Sequence, residues 1–413
     1  MNDLYLNRWL SPTLSRQVDE NPVVVLTGAR QVGKSTLLRH LFPEPQWRHL
    51  SLDDLEVLGQ AQRDPEPLLA DPRPLVLDEV QRAPQLLLAV KKIVDRDRKK
   101  RRFVLSGSVN LLLMSAVSES LAGRAVFLRL EPFAWGEIQG REPFPCLNGL
   151  FEEKFSPEKF TAELSSQSRL SPARLYEGWM PVIALEKKNE AALRWMEGYV
   201  TSYLERDLRQ LSQIDSLADF RRMLSALALR SGGLLNQSEI ARDIGMKQPT
   251  LHRYLNLLET SEWLHRLPAY AVNRGKRLMK TPKAYFFDSG LTAYLAGEHA
   301  SEESFAAKFT GALLETAVLQ HLRIWGGMQA PQARCHYWRT LDGTEVDFVV
   351  EWGKKILACE VKAKAKVSFS DAENLRQFLK SYPRCVGGVV IYTGKEVSQL
   401  DHSIWALPFE LLI

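Results

Sequence analysis

With 413 residues, the chain has room for roughly two to three domains. Its 45% hydrophobic and 25% charged residues exclude a disordered chain, a collagen-like fibre and a long coiled coil. The net charge of +5 is local: Lys91 to Arg102 holds eight bases against Asp95 and Asp97, and the rest of the chain carries 46 bases and 47 acids.

The opening stretch MNDLYLNRWL lacks the apolar region of a signal peptide. No apolar run approaches the roughly 20 residues that span a bilayer. Cys146, Cys335, Cys359 and Cys385 are widely spaced, without a CxxC pair. These features point to a soluble, cytoplasmic protein with reduced thiols and no membrane partner.

From Met1 to about Pro143, short apolar runs alternate with helical stretches. Val23 to Thr27, Pro74 to Leu77, Phe103 to Ser106 and Val126 to Arg129 read as buried strands of a parallel sheet covered by helices. After the first run, Gly28 to Ser35 fits GxxxxGK[ST] and leads into the helical segment Thr36 to Phe42. Strand, loop and helix in that order bring backbone N–H groups and a helix N-terminus to a phosphate. Gly28, Ala29, Arg30, Gln31, Val32, Gly33, Lys34, Ser35 and Thr36 are therefore the expected ATP-binding residues. Lys34 would reach the β- and γ-phosphates, and Ser35 would ligate Mg²⁺.

The run Pro74 to Leu77 ends in Asp78-Glu79, which places two acids at the same sheet edge. Asp78 is expected to hold Mg²⁺ and Glu79 to polarise the attacking water. Ser106, Ser108 or Asn110 would sense the γ-phosphate, unless that segment is a plain polar turn. Arg124 would stabilise transition-state charge in cis, or in trans within a homo-oligomer; a surface salt bridge is the alternative. The segments GARQVGKST, LDEVQRAP, FVLSGS and ESLAGR together resemble a family of prokaryotic AAA-type ATPases related to the archaeal-type ATPases. That resemblance implies an ATPase that binds and hydrolyses ATP with Mg²⁺. It implies no particular physiological substrate.

The interval 144–172, rich in Pro, Glu and Ser, reads as a linker or insertion. Residues 173–297 read as a helical and winged-helix region. Asn236 to Glu239 has the form of a helix start with a capping-box acid, and Gly245 ends that helix. The next helix buries Leu251, Tyr254, Leu255 and Leu258 and turns Gln248, Thr250, His252, Arg253 and Asn256 outward. Trp263 to Tyr270 then reads as a strand and Asn273 to Arg277 as a basic wing tip. In one reading Gln248, Thr250, His252 and Arg253 contact DNA, with Arg274, Lys276 and Arg277 on its phosphates. In the other, the module serves packing and protein partners.

Residues 298–413 open with a helix from Gly311 to Trp325. Strands follow at Cys335 to Thr340, Glu345 to Trp352 and Lys355 to Val361, with turns at Asp342-Gly343 and Gly353-Lys354. Asp347 on one strand faces Glu360-Val361-Lys362 on the next. Asp347, Glu360 and the Val361 carbonyl would bind Mg²⁺, with Glu315 as a fourth carboxylate. Lys362 would orient the attacking water. This D…ExK set resembles the PD-(D/E)xK, or restriction-endonuclease-like, superfamily. Val346 stands where that pattern has Pro. The expected fold class is an α/β P-loop NTPase (residues 1–143), then the helical and winged-helix region, then an α+β restriction-endonuclease-like domain. Two functions compete: an ATPase coupled to a nuclease, and an ATP-driven switch whose inert nuclease-like fold binds protein partners.

Overall fold

The computed structural model describes residues 5–96, 101–107, 121–158, 160, 170–185, 189–202, 214, 216–300 and 308–412. Two compact units result: Met1–Phe133 with Thr260–Trp263, and Ala134–Glu259 with Leu264–Ile413. Among the described residues, no helix is long and apolar enough to cross a membrane.

The first unit is a five-stranded parallel sheet in the order β2-β3-β4-β1-β5. Its strands are β1 (Val23–Thr27), β2 (Arg48–Ser51), β3 (Leu75–Asp78), β4 (Phe103–Ser106) and β5 (Ala125–Arg129). Among its described residues, helices α1 (Ser11–Glu20), α2 (Lys34–Leu41), α3 (Leu55–Arg63) and α4 (Gln85–Arg96) accompany the sheet. β1 is buried along its whole length, as an uninterrupted VVVLT run requires when both sheet faces are covered. On one side Val23, Val25, Leu75, Leu77, Phe103 and Leu105 pack against Leu86, Leu87, Val90 and Val94 of α4. Truncating any of these fully buried leucines to Ala removes about 2–5 kcal/mol. Because the strands are parallel, the loop after β1 and the acids after β3 emerge at one edge of the sheet.

The second unit contains α5 (Pro145–Glu152), α6 (Asn189–Ser202), α7 (Leu217–Ala228), α8 (Gln237–Asp243) and α9 (Gln248–Thr260). The antiparallel pair β6 (Leu264–Leu267) and β7 (Lys283–Phe286) follows α9, and α10 (Ser289–Ala296) follows β7. Asn236 caps α8 by accepting from the Glu239 N–H, while its own amide donates to the Glu239 carboxylate. Asp288 caps α10 by accepting from the Leu291 N–H and also takes the Trp179 N–H.

A long helix, α11 (Lys308–Met328), then leads into a six-stranded mixed sheet of order β12-β13-β11-β10-β9-β8. Its strands are β8 (Arg334–Arg339), β9 (Glu345–Trp352), β10 (Lys355–Lys362), β11 (Cys385–Tyr392), β12 (Ser398–Asp401) and β13 (Ile404–Pro408). Helix α12 (Glu373–Ser381) buries Leu375 and Phe378 against Val349, Ile356, Ala358 and Val390. The hairpin glycines Gly343 and Gly353 have φ of 94° and 62°, the left-handed geometry such turns demand. The interval 144–172 is more than a linker in its described part. Within α5, Phe151 is fully buried and stacks on Trp325, with ring centroids 4.8 Å apart.

Candidate nucleotide site and a second acidic cluster

The loop between β1 and α2 is built by backbone geometry. Gly28 has φ of 146°, and a Cβ there would lie 2.3 Å from the Leu130 carbonyl oxygen, so only glycine fits. Gly33, the N-cap of α2, has φ of 94°, and Gln31 also adopts positive φ, at 61°. Ala29 and Val32 are buried, Arg30 is half-buried, and Gln31 and Thr36 are exposed. Lys34 is buried, and its Nζ donates to the carbonyls of Gly28 and Ala29 at 2.9 Å each. Burial lowers its pKa, opposed by the charges of Glu79, Asp78 and Glu262.

Asp78 organises the acidic half. Ser35 Oγ donates to its Oδ2 at 2.6 Å, and Ser106 Oγ donates to its Oδ1. The Glu79 N–H donates to the same Oδ1 at 3.1 Å. Glu79 itself sits at φ 55°, a left-handed conformation rare for a residue with a side chain and frequent where function demands strain. The Gln81 amide donates to the Glu79 carboxylate. Strands β1, β3 and β4 thus bring Ser35, Asp78, Glu79 and Ser106 together. Glycine geometry, a buried lysine and a carboxylate beside a hydroxyl fit a nucleotide phosphate and a hard, oxygen-seeking cation such as Mg²⁺.

Four further residues, Arg8, Arg129, Glu131 and Glu262, belong to this edge and were not legible in the sequence. Arg8 donates to the carbonyls of Val32 (2.9 Å), Glu131 (2.6 Å) and Pro132 (3.3 Å), bracing the loop from behind. Arg129, beside Thr27 in the sheet register, pairs with Glu131 (3.0 Å) and Glu262 (2.7 Å). Strand ends of this kind carry no local pattern, and Glu262 lies far along the chain.

Arg124 is not part of the site in cis. It precedes β5 and so lies at the opposite edge of the parallel sheet, where its guanidinium grips Asp95 at 2.5 and 3.0 Å. Ser108 and Asn110 lie outside the described residues, as do residues 97–100 of the basic strip. The described end of that strip is structural. Arg101 is buried, lies over the Phe103 ring and donates to the carbonyls of Leu69 and Arg73.

On α9, Gln248, His252 and Arg253 are exposed and Thr250 is half-buried. His252 is engaged by Gln237 and Asn256, each at 3.1 Å. The expected wing tip is instead a short helix, Arg274–Met279, capped by the Asn273 side chain. Arg277 turns inward, pairs with Glu351 at 2.8 Å and lies over the Tyr270 ring. It is therefore committed within the protein and not held out for a phosphate. The side chains of Arg274 and Lys276 lie outside the described residues.

The second acidic cluster sits where β9 and β10 pair. The register sets Cys359 against Phe348, which puts Asp347 and Glu360 next to each other. Asp347 Oδ2 accepts from the Val361 N–H at 2.8 Å, and Lys362 Nζ pairs with Glu360 Oε1 at 2.7 Å. Glu360 Oε2 is buried and lacks a hydrogen-bond partner among the described residues. Glu315 of α11 accepts from the Tyr285 hydroxyl at 3.2 Å. Burial, reinforced by the Asp347 charge, pushes Glu315 and Glu360 up to about 8 each. Burial also raises Asp347.

The sequence reading missed the fifth member, Lys283 of β7. Its buried ammonium pairs with Glu345 and lies 3.8 Å from Asp347 Oδ1. Burial opposes its charge, but Asp347, Glu315 and Glu345 outweigh burial and hold its pKa above the usual lysine value. Among the described residues, no three His, Cys, Asp or Glu side chains are gathered so as to hold a metal ion. The expected set of Glu315, Asp347 and Glu360 is thus threaded with ammonium and N–H donors.

Residues 20–139 match the AAA domain family, 169–302 match a domain of unknown function, DUF8612, and 310–412 match another, DUF4143. The uncharacterized protein Rv2008c of Mycobacterium tuberculosis is 30% identical over 406 residues, covering 97% of this chain and 83% of that one. An uncharacterized protein of Haemophilus influenzae is 21% identical over 412 residues, covering 93% and 92%. Among solved structures, the Walker-type ATPase of Pyrococcus abyssi is 16% identical with a TM-score of 0.45, covering 71% of this chain and 97% of that one. The AAA match spans the strands, glycine loop and acids described above and makes that part an AAA-type P-loop ATPase domain, and the whole chain belongs to one family with the mycobacterial protein.

Proposed function

We propose that the chain is a Mg²⁺-dependent ATPase whose nucleotide state switches a C-terminal effector region. Gly28 to Thr36 hold the phosphates, with Lys34 as the cation among them. Ser35 and Asp78 hold Mg²⁺, which supplies charge neutralisation at the phosphates when bound. Glu79 takes a proton from the attacking water, and Ser106 holds Asp78 in place. The observation that carries this reading is the Asp78 carboxylate, shared by the hydroxyls of Ser35 and Ser106 and set beside Glu79. Lys34→Ala should abolish tight ATP binding, and Glu79→Gln should keep binding while slowing turnover. Unchanged ATP affinity in the first, or normal turnover in the second, would overturn the respective role.

The effector region is read as a winged helix (α7 to β7) followed by a restriction-endonuclease-like fold (α11 onward). The isolated bridge between Leu234 and Lys283 adds a third extended segment beside β6 and β7, which supports the winged-helix reading. Gln248, Thr250, His252 and Arg253 are its partner-facing residues. Arg277 is committed to Glu351, and bases and acids nearly balance outside one strip; both favour a protein partner over DNA. A second reading, metal-dependent DNA cleavage at Asp347, Glu360 and Lys362, is favoured by their placement on adjoining strands. Comparing wild type with Asp347→Ala on DNA with Mg²⁺ or Mn²⁺ separates the two. Cleavage lost in the variant would establish the nuclease.

A further inference from the structure

Lys283 is the least expected residue of the second acidic cluster. It enters on β7, whose backbone is tied on both sides. Leu267 pairs with it across β6, and on the other flank Gly232 N–H donates to Ala284 O at 2.9 Å and Leu235 N–H to Pro282 O at 2.8 Å. The ladder fixes where the side chain enters. Lys283 and Tyr285, two residues apart, share one face of the strand. Both address the cluster: the ammonium meets Glu345 and Asp347, and the phenol donates to Glu315. Lys283 is only 3% exposed, so its charge has no water to lean on. A buried ammonium persists only where anions replace that water.

Apart from Glu360 Oε2, the oxygens that Asp347 and Glu360 could offer a metal already face donors within the protein. Asp347 gives Oδ2 to the Val361 N–H and turns Oδ1 toward Lys283; Glu360 gives Oε1 to Lys362. We propose that the Lys283 ammonium is the resident cation of this cluster, filling the role that a divalent ion holds in a metal-dependent nuclease. The inference rests on the restriction-endonuclease-like reading of this region. An ammonium balances carboxylates but has no open coordination position at which to bind and acidify water. The cluster therefore stabilises the fold as a neutralised core and does not cut.

The test uses nucleotide-free full-length protein and Mn²⁺ alone, with bound Mn²⁺ followed by its paramagnetic signal. Asp347→Asn in each background identifies the site. Wild type should show no saturable binding that Asp347→Asn removes. Lys283→Met should gain a site at least about tenfold tighter than any in wild type, lost again with Asp347→Asn. Should Lys283→Met fail to fold, Lys283→Met with Glu345→Gln removes the ion pair as a whole and carries the same comparison. If wild type binds Mn²⁺ through Asp347 within about threefold of the variant, the inference falls and the nuclease reading stands. If neither protein binds through Asp347, the inference and the nuclease-like reading beneath it both fail. ATP turnover, read on the same samples, keeps the phosphate-loop assignment separate.

Discussion

Replacing Arg8 by Ala should weaken ATP binding although Arg8 lies outside every motif. The buried guanidinium makes three hydrogen bonds to carbonyls, and one of them, Val32 O, belongs to the phosphate loop. Hydrogen bonds to a charged group contribute about 1.5–3 kcal/mol each, and non-additivity trims three of them to roughly 3–5 kcal/mol. Part of that loss falls on the global fold through Glu131 and Pro132. The share that falls on Val32 loosens the loop conformation that presents backbone N–H groups. Every 1.4 kcal/mol or so spent re-forming that conformation costs a factor of ten in affinity. Arg8→Ala should therefore bind a fluorescent ATP analogue about ten- to a hundredfold more weakly, with a lowered Tm. Arg8→Lys keeps the charge but not the fork and should fall between. A folded Arg8→Ala protein with ATP affinity within about threefold of wild type would refute the bracing role.

Other expectations follow from the same geometry. Ser106→Ala removes one of the two hydroxyls on Asp78 and should reduce turnover about tenfold with a smaller effect on ATP affinity; equal losses in both would assign Ser106 to binding alone. His321 is buried in its neutral form, with Nε2 accepting from the Trp135 N–H at 3.1 Å and Nδ1 donating to Ala317 O at 2.7 Å. Burial lowers its pKa to about 4, so the folded state binds fewer protons than the unfolded one between that value and 6.5. Its contribution is complete above pH 6.5 and lost as pH falls toward 4, roughly 3 kcal/mol in all. The stability gap between wild type and His321→Gln should close over that window in urea titrations; a constant gap would reject the linkage. Arg101→Ala should lower stability by about 2–4 kcal/mol through the lost carbonyl contacts and cation–π packing. Unaltered melting would return Arg101 to the solvated strip.

Much of the nucleotide half was legible because its signals are local. β1 and β4 coincide with their apolar runs, and the glycine loop follows β1 without a gap. β2 escaped notice because Arg48 to Ser51 is a half-buried edge strand with no apolar alternation. The outward face of α9 was also legible, since its buried stripe repeats at helical spacing. The wing was not. Arg277 looks like a phosphate contact in sequence, and only the fold brings Glu351 and Tyr270 to it. Lys283 failed for the same reason: a lysine opening the run KAYF reads as a solvated strand end until Glu345 and Asp347 arrive from a later strand.

The two acidic clusters separate on what their aspartates face. Asp78 gives its oxygens chiefly to two hydroxyls and a neighbouring N–H. A hydroxyl can donate to a carboxylate or turn its lone pair to a cation, so Ser35 and Asp78 can exchange their mutual hydrogen bond for joint ligation at little cost. Asp347 faces a backbone N–H and an ammonium, both donors with no lone pair to offer. Cation entry there means expelling Lys283 from a strand held on both edges and stranding its charge in the interior. The same residue type, at the end of one strand and on the body of another, is thus cation-ready in the ATPase unit and cation-satisfied in the C-terminal region. An ATP-driven switch needs only the first of these to be chemically active.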